Sequence, residues 1–463
     1  MRIFKGRKPF YKSVFLLGYP IALQTFITVA VGLLDNVMIS RVSESAFAAT
    51  SLASAFISFF QIFCMGLGMG ASVLISRYLG MIKIHEDEEN ADRSLKQTVS
   101  IALRLTLLIA LVFALFTFFA PNLVMKMYTD DAILIALGCR YLKYSVLTFF
   151  FLGLSLVATI ILRCTGQSRY PMFVSIGAFF VNLLFNYMFI FGNFGAPRLG
   201  IEGAAIATLI ARIAEAAAVI IYLLFVDKKI SFKFKHFFMK TKSIIGEYMH
   251  FCIPVLISDA MVALGNNAIV MVIGHLGAVF VAANSITTTT QQLSTVVIQG
   301  VCQAGAIITG QTLGKGKKDE AEEQGWLFLL LGLALGALSA LFIILTKTPM
   351  VNLFGEKASP ETIQTAYSLL NSISLIIVFQ ATNSIMTKGV LRGGGDTLML
   401  MLTDNIFLWV IALPLGIVAG FYWKMTPFWV YFFLKSDQII KTLWCIYRLK
   451  TRKWIKRIST GSK

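Results

Sequence analysis

The chain has 463 residues, of which 57% are hydrophobic and only 14% charged, and its mean hydropathy is +0.77. Soluble domains carry about a quarter charged residues, so this composition excludes a water-soluble fold. The net charge of +18 does not describe a nucleic-acid surface, because most of the Lys and Arg fall in alternate loops, on one side of a membrane.

Apolar runs long enough to cross a bilayer predict twelve helices. They fall roughly at 14–40, 46–76, 98–120, 133–162, 171–193, 203–226, 248–274, 279–312, 325–346, 363–391, 398–421 and 427–449. Short polar segments such as FGNFGAPRLGIEG and LFGEKASPE separate them. The first run is long enough to span, and further spans follow it, so no cleavable signal peptide is expected. The positive-inside bias places both termini in the cytoplasm, giving a multi-pass protein of the cytoplasmic (inner) membrane. Six cysteines, Cys64, Cys139, Cys164, Cys252, Cys302 and Cys445, show no CxxC pairing and read as small buried residues. Four histidines without ligand spacing propose no metal site.

The chain repeats itself at an offset of 234 residues over about 70 positions without a gap. Pro20, Ala48, Ala49, Ser51 and Gly66 recur as Pro254, Ala282, Ala283, Ser285 and Gly300. Leu79, Gly80, Lys83, Glu86, Glu88 and Glu89 recur as Leu313, Gly314, Lys317, Glu320, Glu322 and Glu323. A second echo joins LRCTGQS at Leu162 to LRGGGDT at Leu391. Each half therefore holds six helices, an even number, and both enter the membrane in the same orientation. This predicts an all-α polytopic protein of two six-helix lobes related by a pseudo-two-fold axis near the membrane normal, with a cleft between them. The expected divisions are a first lobe at 1–226, a basic linker at 227–243, a second lobe at 244–450 and a basic tail at 451–463. The linker, DKKISFKFKHFFMKTKS, alternates Lys with Phe and reads as a segment lying on anionic headgroups.

The repeat separates scaffold from function. Pro20 with Pro254, and Gly66 with Gly300, serve helix bends and close packing in both halves. Asp35, in GLLDNVMIS, is the only formal charge between Val14 and Ile39, and its counterpart is Ile269. The second copy folds without the acid. A carboxylate at mid-membrane costs roughly 2.5–3.5 kcal/mol and is kept neutral or paired, so Asp35 is a candidate to exchange H+ or hold Na+. Asn182 and Asn186, spaced i, i+4 in FFVNLLFNYMF, share one face of helix 5 and offer amide oxygens to the same site.

Taken together, these residues resemble the multidrug and toxic compound extrusion (MATE) family. The resemblance is carried by the helix 1 pattern from Pro20 through Asp35, LRCTGQSRYPM, Asn182, GIEGAAIAT at 200–208, and the run from NNAIVMVIGHLGAVFVAANSI to GQTLGKGK. It implies two lobes around a central cavity, with Na+ or H+ influx driving export of bulky, often cationic amphiphiles. It also implies coupling roles for Asp35 and Asn182, no cofactor beyond the coupling ion, and no enzymatic activity. Some members carry an acid where this chain has Asn186, and some carry one on helix 10, where 363–391 has none. A single carboxylate makes a thin Na+ site, which favours H+, and Asp259 on helix 7 is a candidate second acid.

Arg212 and Glu215, spaced i, i+3 on helix 6, are expected to pair with each other. Asp404 and Asp437 have Lys435 and Lys441 as possible partners. Gln61, Met65 and Met69 on helix 2, with Gln292, Gln299 and Gln303 on helix 8, are the expected cavity walls, an adaptable surface for organic cations. The expected partners are such small molecules and membrane lipid, with no nucleic acid, and the expected state is a monomer. A rival reading, a flippase for lipid-linked saccharides, would call for basic residues facing the cavity to hold pyrophosphate.

Overall fold

In the hydrocarbon of a bilayer every backbone N–H and C=O must find its partner within the protein, and the apolar runs of this sequence meet that demand as helices. The computed structural model describes residues 7–84, 88–354 and 359–456. Glu86, part of the LFGEKASPE loop and the tail beyond 456 lie outside the described residues. No strand occurs among the described residues.

The first half comprises α1 (Arg7–Ser40), α2 (Glu44–Ile82), α3 (Glu88–Phe119), α4 in two pieces (Ala132–Ser145 and Thr148–Cys164), α5 (Arg169–Phe191) and α6 (Ile201–Ile221), which runs on as a π turn to Val226. The second comprises α7 (Ile245–His275), α8 (Ala278–Gly314), α9 (Lys318–Phe354), α10 (Pro360–Ser384, continued as a π helix to Leu391), α11 (from Thr397 to Tyr422, with two π stretches) and α12. Ten of the described helices are long and apolar enough to span a membrane, and the two pieces of α4, bent by 59°, make an eleventh. The last expected span is broken at Lys435 and Ser436, giving α12 two pieces, Pro427–Leu434 and Asp437–Lys450. The first helix begins seven residues earlier than the hydropathy predicts, because its polar start, RKPFYKS, is helical as well. The protein is an all-α polytopic membrane protein.

Polar caps mark where helices start. Ser43 accepts from the Ala46 N–H, Asp131 from those of Ile133 and Leu134, and Ser359 from that of Thr362. The echo between LRCTGQS and LRGGGDT becomes one shared device. Gly166 and Gly395 both adopt left-handed backbone, at φ 82° and 83°, closing the fourth and tenth helices. Close helix contacts occur where a side chain is missing. Gly332 and Gly336, four apart on α9, would place a Cβ 2.9 Å from the Cα of Thr382 and 2.7 Å from that of Val378, so α9 and α10 pack backbone to backbone.

The chain forms two units, one of Leu23–Cys252 and the other of the residues up to Ala22 with those from Ile253 on. α1 and α7 are thus each shared between units, and each changes unit within two residues of its proline, Pro20 or Pro254. Within the second unit, a Cβ on Gly300 of α8 would lie 2.4 Å from the Gly18 carbonyl oxygen of α1. Within the first, a Cβ on Gly70 of α2 would lie 2.7 Å from the Cα of Cys252 on α7. Gly18 and Cys252 are repeat counterparts, so the same exchange of the leading helix occurs in both halves.

Candidate functional site

The candidate site lies inside the unit of residues 23–252, where α1, α5 and α6 meet. Asn182 and Asn186 are buried, one turn apart on α5. The Asn186 side-chain amide donates to Asp35 Oδ1 at 2.5 Å and also approaches Asn182 Oδ1 at 3.0 Å. The expected trio does come together, but with a change of order: Asn186 touches the acid, and Asn182 stands one link behind. Asn186 Oδ1 has no hydrogen-bond partner among the described residues. Beside them is a cavity of about 40 Å³ lined by Asp35, Asn182, Ser175, Thr208, Arg212 and Glu215 among others.

Arg212 and Glu215 form the expected pair, Nη1 to Oε2 at 2.6 Å, and they do so facing the cavity of Asp35 rather than in isolation. A directed chain of donors reaches Glu215 from the other side. Arg163, at the end of α4, donates to the Gln24 side-chain oxygen. The Gln24 amide donates to Ser175 Oγ at 2.7 Å, and Ser175 donates to Glu215 Oε1 at 3.2 Å. Sequence reasoning passed over Gln24, Ser175 and Thr208. Their signal was polarity on helix faces that also carry Asp35, Asn182 and Arg212.

In the second half, Ile269, the counterpart of Asp35, is buried in an apolar cluster with Val272, Ile273, Ala283, Ile373 and Leu408. A larger polar cavity, about 130 Å³, adjoins that cluster at Leu408 and is lined by Asp259, Asn383, Lys388, Asp404, Lys435, Asp437 and Lys441, with others. Its acids are already met. Asp259 Oδ1 takes Arg392 at 3.0 Å, so the candidate second acid is tied up in an ion pair. Lys441 lies 3.3 Å from Asp404 and 3.0 Å from Asp437, which makes it the partner of both. Arg163 and Arg392 are themselves repeat counterparts, each bonding to the first helix of its own half.

Of the expected cavity-wall residues, Met65 and Gln292 are exposed, while Gln61, Gln299 and Gln303 are partly buried. Met69 is buried. Arg104, within the span of α3, reaches the linker, donating to the Met239 carbonyl at 3.1 Å. All six cysteines are free thiols. Among the described residues no group of three or more His, Cys, Asp or Glu is placed to hold a metal ion.

Two repeated sets of long apolar helices, with an acid on the first helix bonded to a buried amide, define a polytopic membrane protein. The MatE family model matches residues 20–188 and 254–418, one stretch in each half. The chain belongs to this family, the MATE transporters that its motifs resemble, and is not an enzyme. It is similar to the uncharacterized transporter YisQ of Bacillus subtilis (strain 168), 26% identical over 460 residues, covering 96% of this chain and 95% of that one. It is also 26% identical, over 452 residues, to the probable multidrug resistance protein NorM of Thermotoga maritima, covering 96% and 93% of the two chains. Among solved structures, an outward-facing multidrug resistance MATE transporter matches with a TM-score of 0.85 at 18% identity, covering 96% of each chain. That likeness establishes the fold.

Proposed function

We propose that the protein is a cation-coupled antiporter. It takes up H+ or Na+ and exports amphiphilic organic cations across the cytoplasmic membrane by alternating access, with both termini in the cytoplasm. One observation carries the reading. Among the described residues Glu215, Asp259, Asp404 and Asp437 each sit in an ion pair with Lys or Arg, whereas Asp35 has only an amide donor. A carboxylate in that setting is short of one positive charge, and a proton or Na+ supplies it. The drug-resistance names of the relatives support the substrate class. Met65 and Gln292, which keep their exposure, suit varied organic cations. A lipid-linked saccharide flippase would need basic groups facing the site for pyrophosphate, whereas the charged residues around Asp35 sum to a negative cavity.

The test is efflux of a cationic dye from proteoliposomes under a pH gradient or a Na+ gradient, each imposed alone. One of the two should drive transport by the unaltered chain, and Asp35→Asn, which keeps shape but cannot bind a cation through charge, should abolish it. Transport driven by neither gradient, or retained by folded Asp35→Asn, would reject the antiporter.

A further inference from the structure

The cavity beside Asp35 is lined by three charged side chains, Asp35, Arg212 and Glu215, and only two of them cancel. We propose that Arg212 and Glu215 set the charge of the exchange site without binding its cation. Glu215 keeps Arg212 from neutralising Asp35, so that the cavity retains one net negative charge and takes up one monovalent cation, H+ or Na+, in each cycle. This rests on the reading of Asp35 as the coupling residue.

The geometry supplies the argument. Arg212 lines the same cavity as Asp35, about 40 Å³, and its long side chain can turn to either acid across it. If it paired with Asp35, the acid would have its positive charge permanently and no cation would be needed. Glu215 prevents this because both of its oxygens are engaged, Oε2 by Arg212 and Oε1 by Ser175. A carboxylate that accepts at both oxygens is held in place and in turn holds a guanidinium. The chain from Arg163 through Gln24 and Ser175 fixes it in that pose from α4, α1 and α5.

A purely structural pair fits less well. Both residues lie on α6, so their ion pair joins no two elements, and two apolar residues would pack a membrane helix at least as well. The other titratable groups near the cavity are few. Tyr141 of α4 is buried near Asp35 and Arg212, and Arg163 stands three hydrogen bonds beyond Glu215. No Lys, His or further acid lines the cavity among the described residues.

The experiment measures gradient-driven dye efflux in proteoliposomes for Asp35→Asn, Glu215→Gln and the double variant Arg212→Gln with Glu215→Gln, each first shown to be folded by dye binding in detergent. Glu215→Gln should release Arg212 to Asp35 and lower driven transport about tenfold or more, the scale set by one charge in a buried site. The double variant removes the stray guanidinium with the acid, so driven transport should rise well above that of the single, with a half-activating cation concentration close to the unaltered value. A merely structural pair predicts no such rescue. Normal transport by Glu215→Gln, or a folded double variant as inactive as the single, would overturn the proposal. Should Glu215→Gln fail to fold, the double variant decides alone. If Asp35→Asn transports normally, the coupling role itself falls; if it is inactive while Glu215→Gln is normal, only the present proposal does.

Discussion

At the scale of single residues, the order of contacts around Asp35 decides which substitution does most harm. Asn186 donates directly to the acid, while Asn182 only receives the same amide. Removing a donor from a buried acceptor costs about 1–3 kcal/mol, more for a charged group. Asn186→Leu should therefore impair gradient-driven efflux more than Asn182→Leu, and neither should add much to Asp35→Asn, since all three would act on one function. Ile269→Leu is the control. It exchanges like volumes in an apolar cluster, which costs less than about 1.5 kcal/mol, and should transport normally. Efflux rates that place Asn182→Leu below Asn186→Leu would contradict the geometry. The i, i+4 spacing of the two amides was legible in the sequence, because helical period puts them on one face. Which of them meets helix 1 was not, because it depends on the rotation and height of α5 against α1. The same limit hid Glu215: its charge and its partner could be read, but not that the pair points into the cavity of Asp35.

At the scale of an element, the linker after α6 shows how composition underdetermines docking. Its alternation of Lys and Phe fits a headgroup layer, and Phe234 and Phe238 are indeed exposed. Yet its backbone is also bound to α3, where Gln97 donates to the Lys240 carbonyl at 2.6 Å and Ser100 to that of Phe237 at 2.8 Å. Arg104 adds a bond to Met239 and lies over the Phe237 ring. Ile230 and Phe232 are buried. None of this follows from residue order, because it needs the N-terminal part of α3 to run beside the linker. One bond in the segment is sensitive to protons. The Lys233 backbone N–H donates to His236 Nδ1 at 2.9 Å, which requires that nitrogen to be unprotonated. Partial burial, then Lys96 and Lys235, hold the imidazole below its ordinary value of 6.5, against a weaker opposing pull from Asp92. A histidine with its folded pKa depressed binds protons more readily unfolded, so its contribution is intact above 6.5 and is lost as pH falls through the folded value. Amide hydrogen exchange across 233–240, corrected for its intrinsic pH dependence, should speed up between about pH 7 and about pH 5. A His236→Asn variant should lack that response, and unchanged protection in the unaltered chain would show that this bond contributes nothing.

At the scale of the whole molecule, the repeat made two six-helix halves legible, because prolines, glycines and loop charges recur at one offset. It did not reveal that the leading part of α1 packs in the unit built by the second half, and that of α7 in the unit built by the first. Hydropathy is indifferent to which apolar neighbour a helix finds. The consequence is mechanical. Alternating access requires two bundles to reorient, and α1 and α7 are the helices that belong to both. Their prolines stand beside the change of unit, and each lacks the N–H that would bond the carbonyl four residues before it, so the helix bends there at less cost. Restoring that hydrogen bond should stiffen the passage without touching Asp35 or its amides. Pro20→Ala and Pro254→Ala should each slow dye turnover, and together slow it by about tenfold, while the half-saturating dye and cation concentrations stay near their original values, as expected when a conformational step limits the rate. Because the two prolines are repeat counterparts, their single effects should be similar in size, unlike those of Asp35 and Ile269. A double variant with unaltered turnover would mean that the units move without bending α1 and α7 at these points.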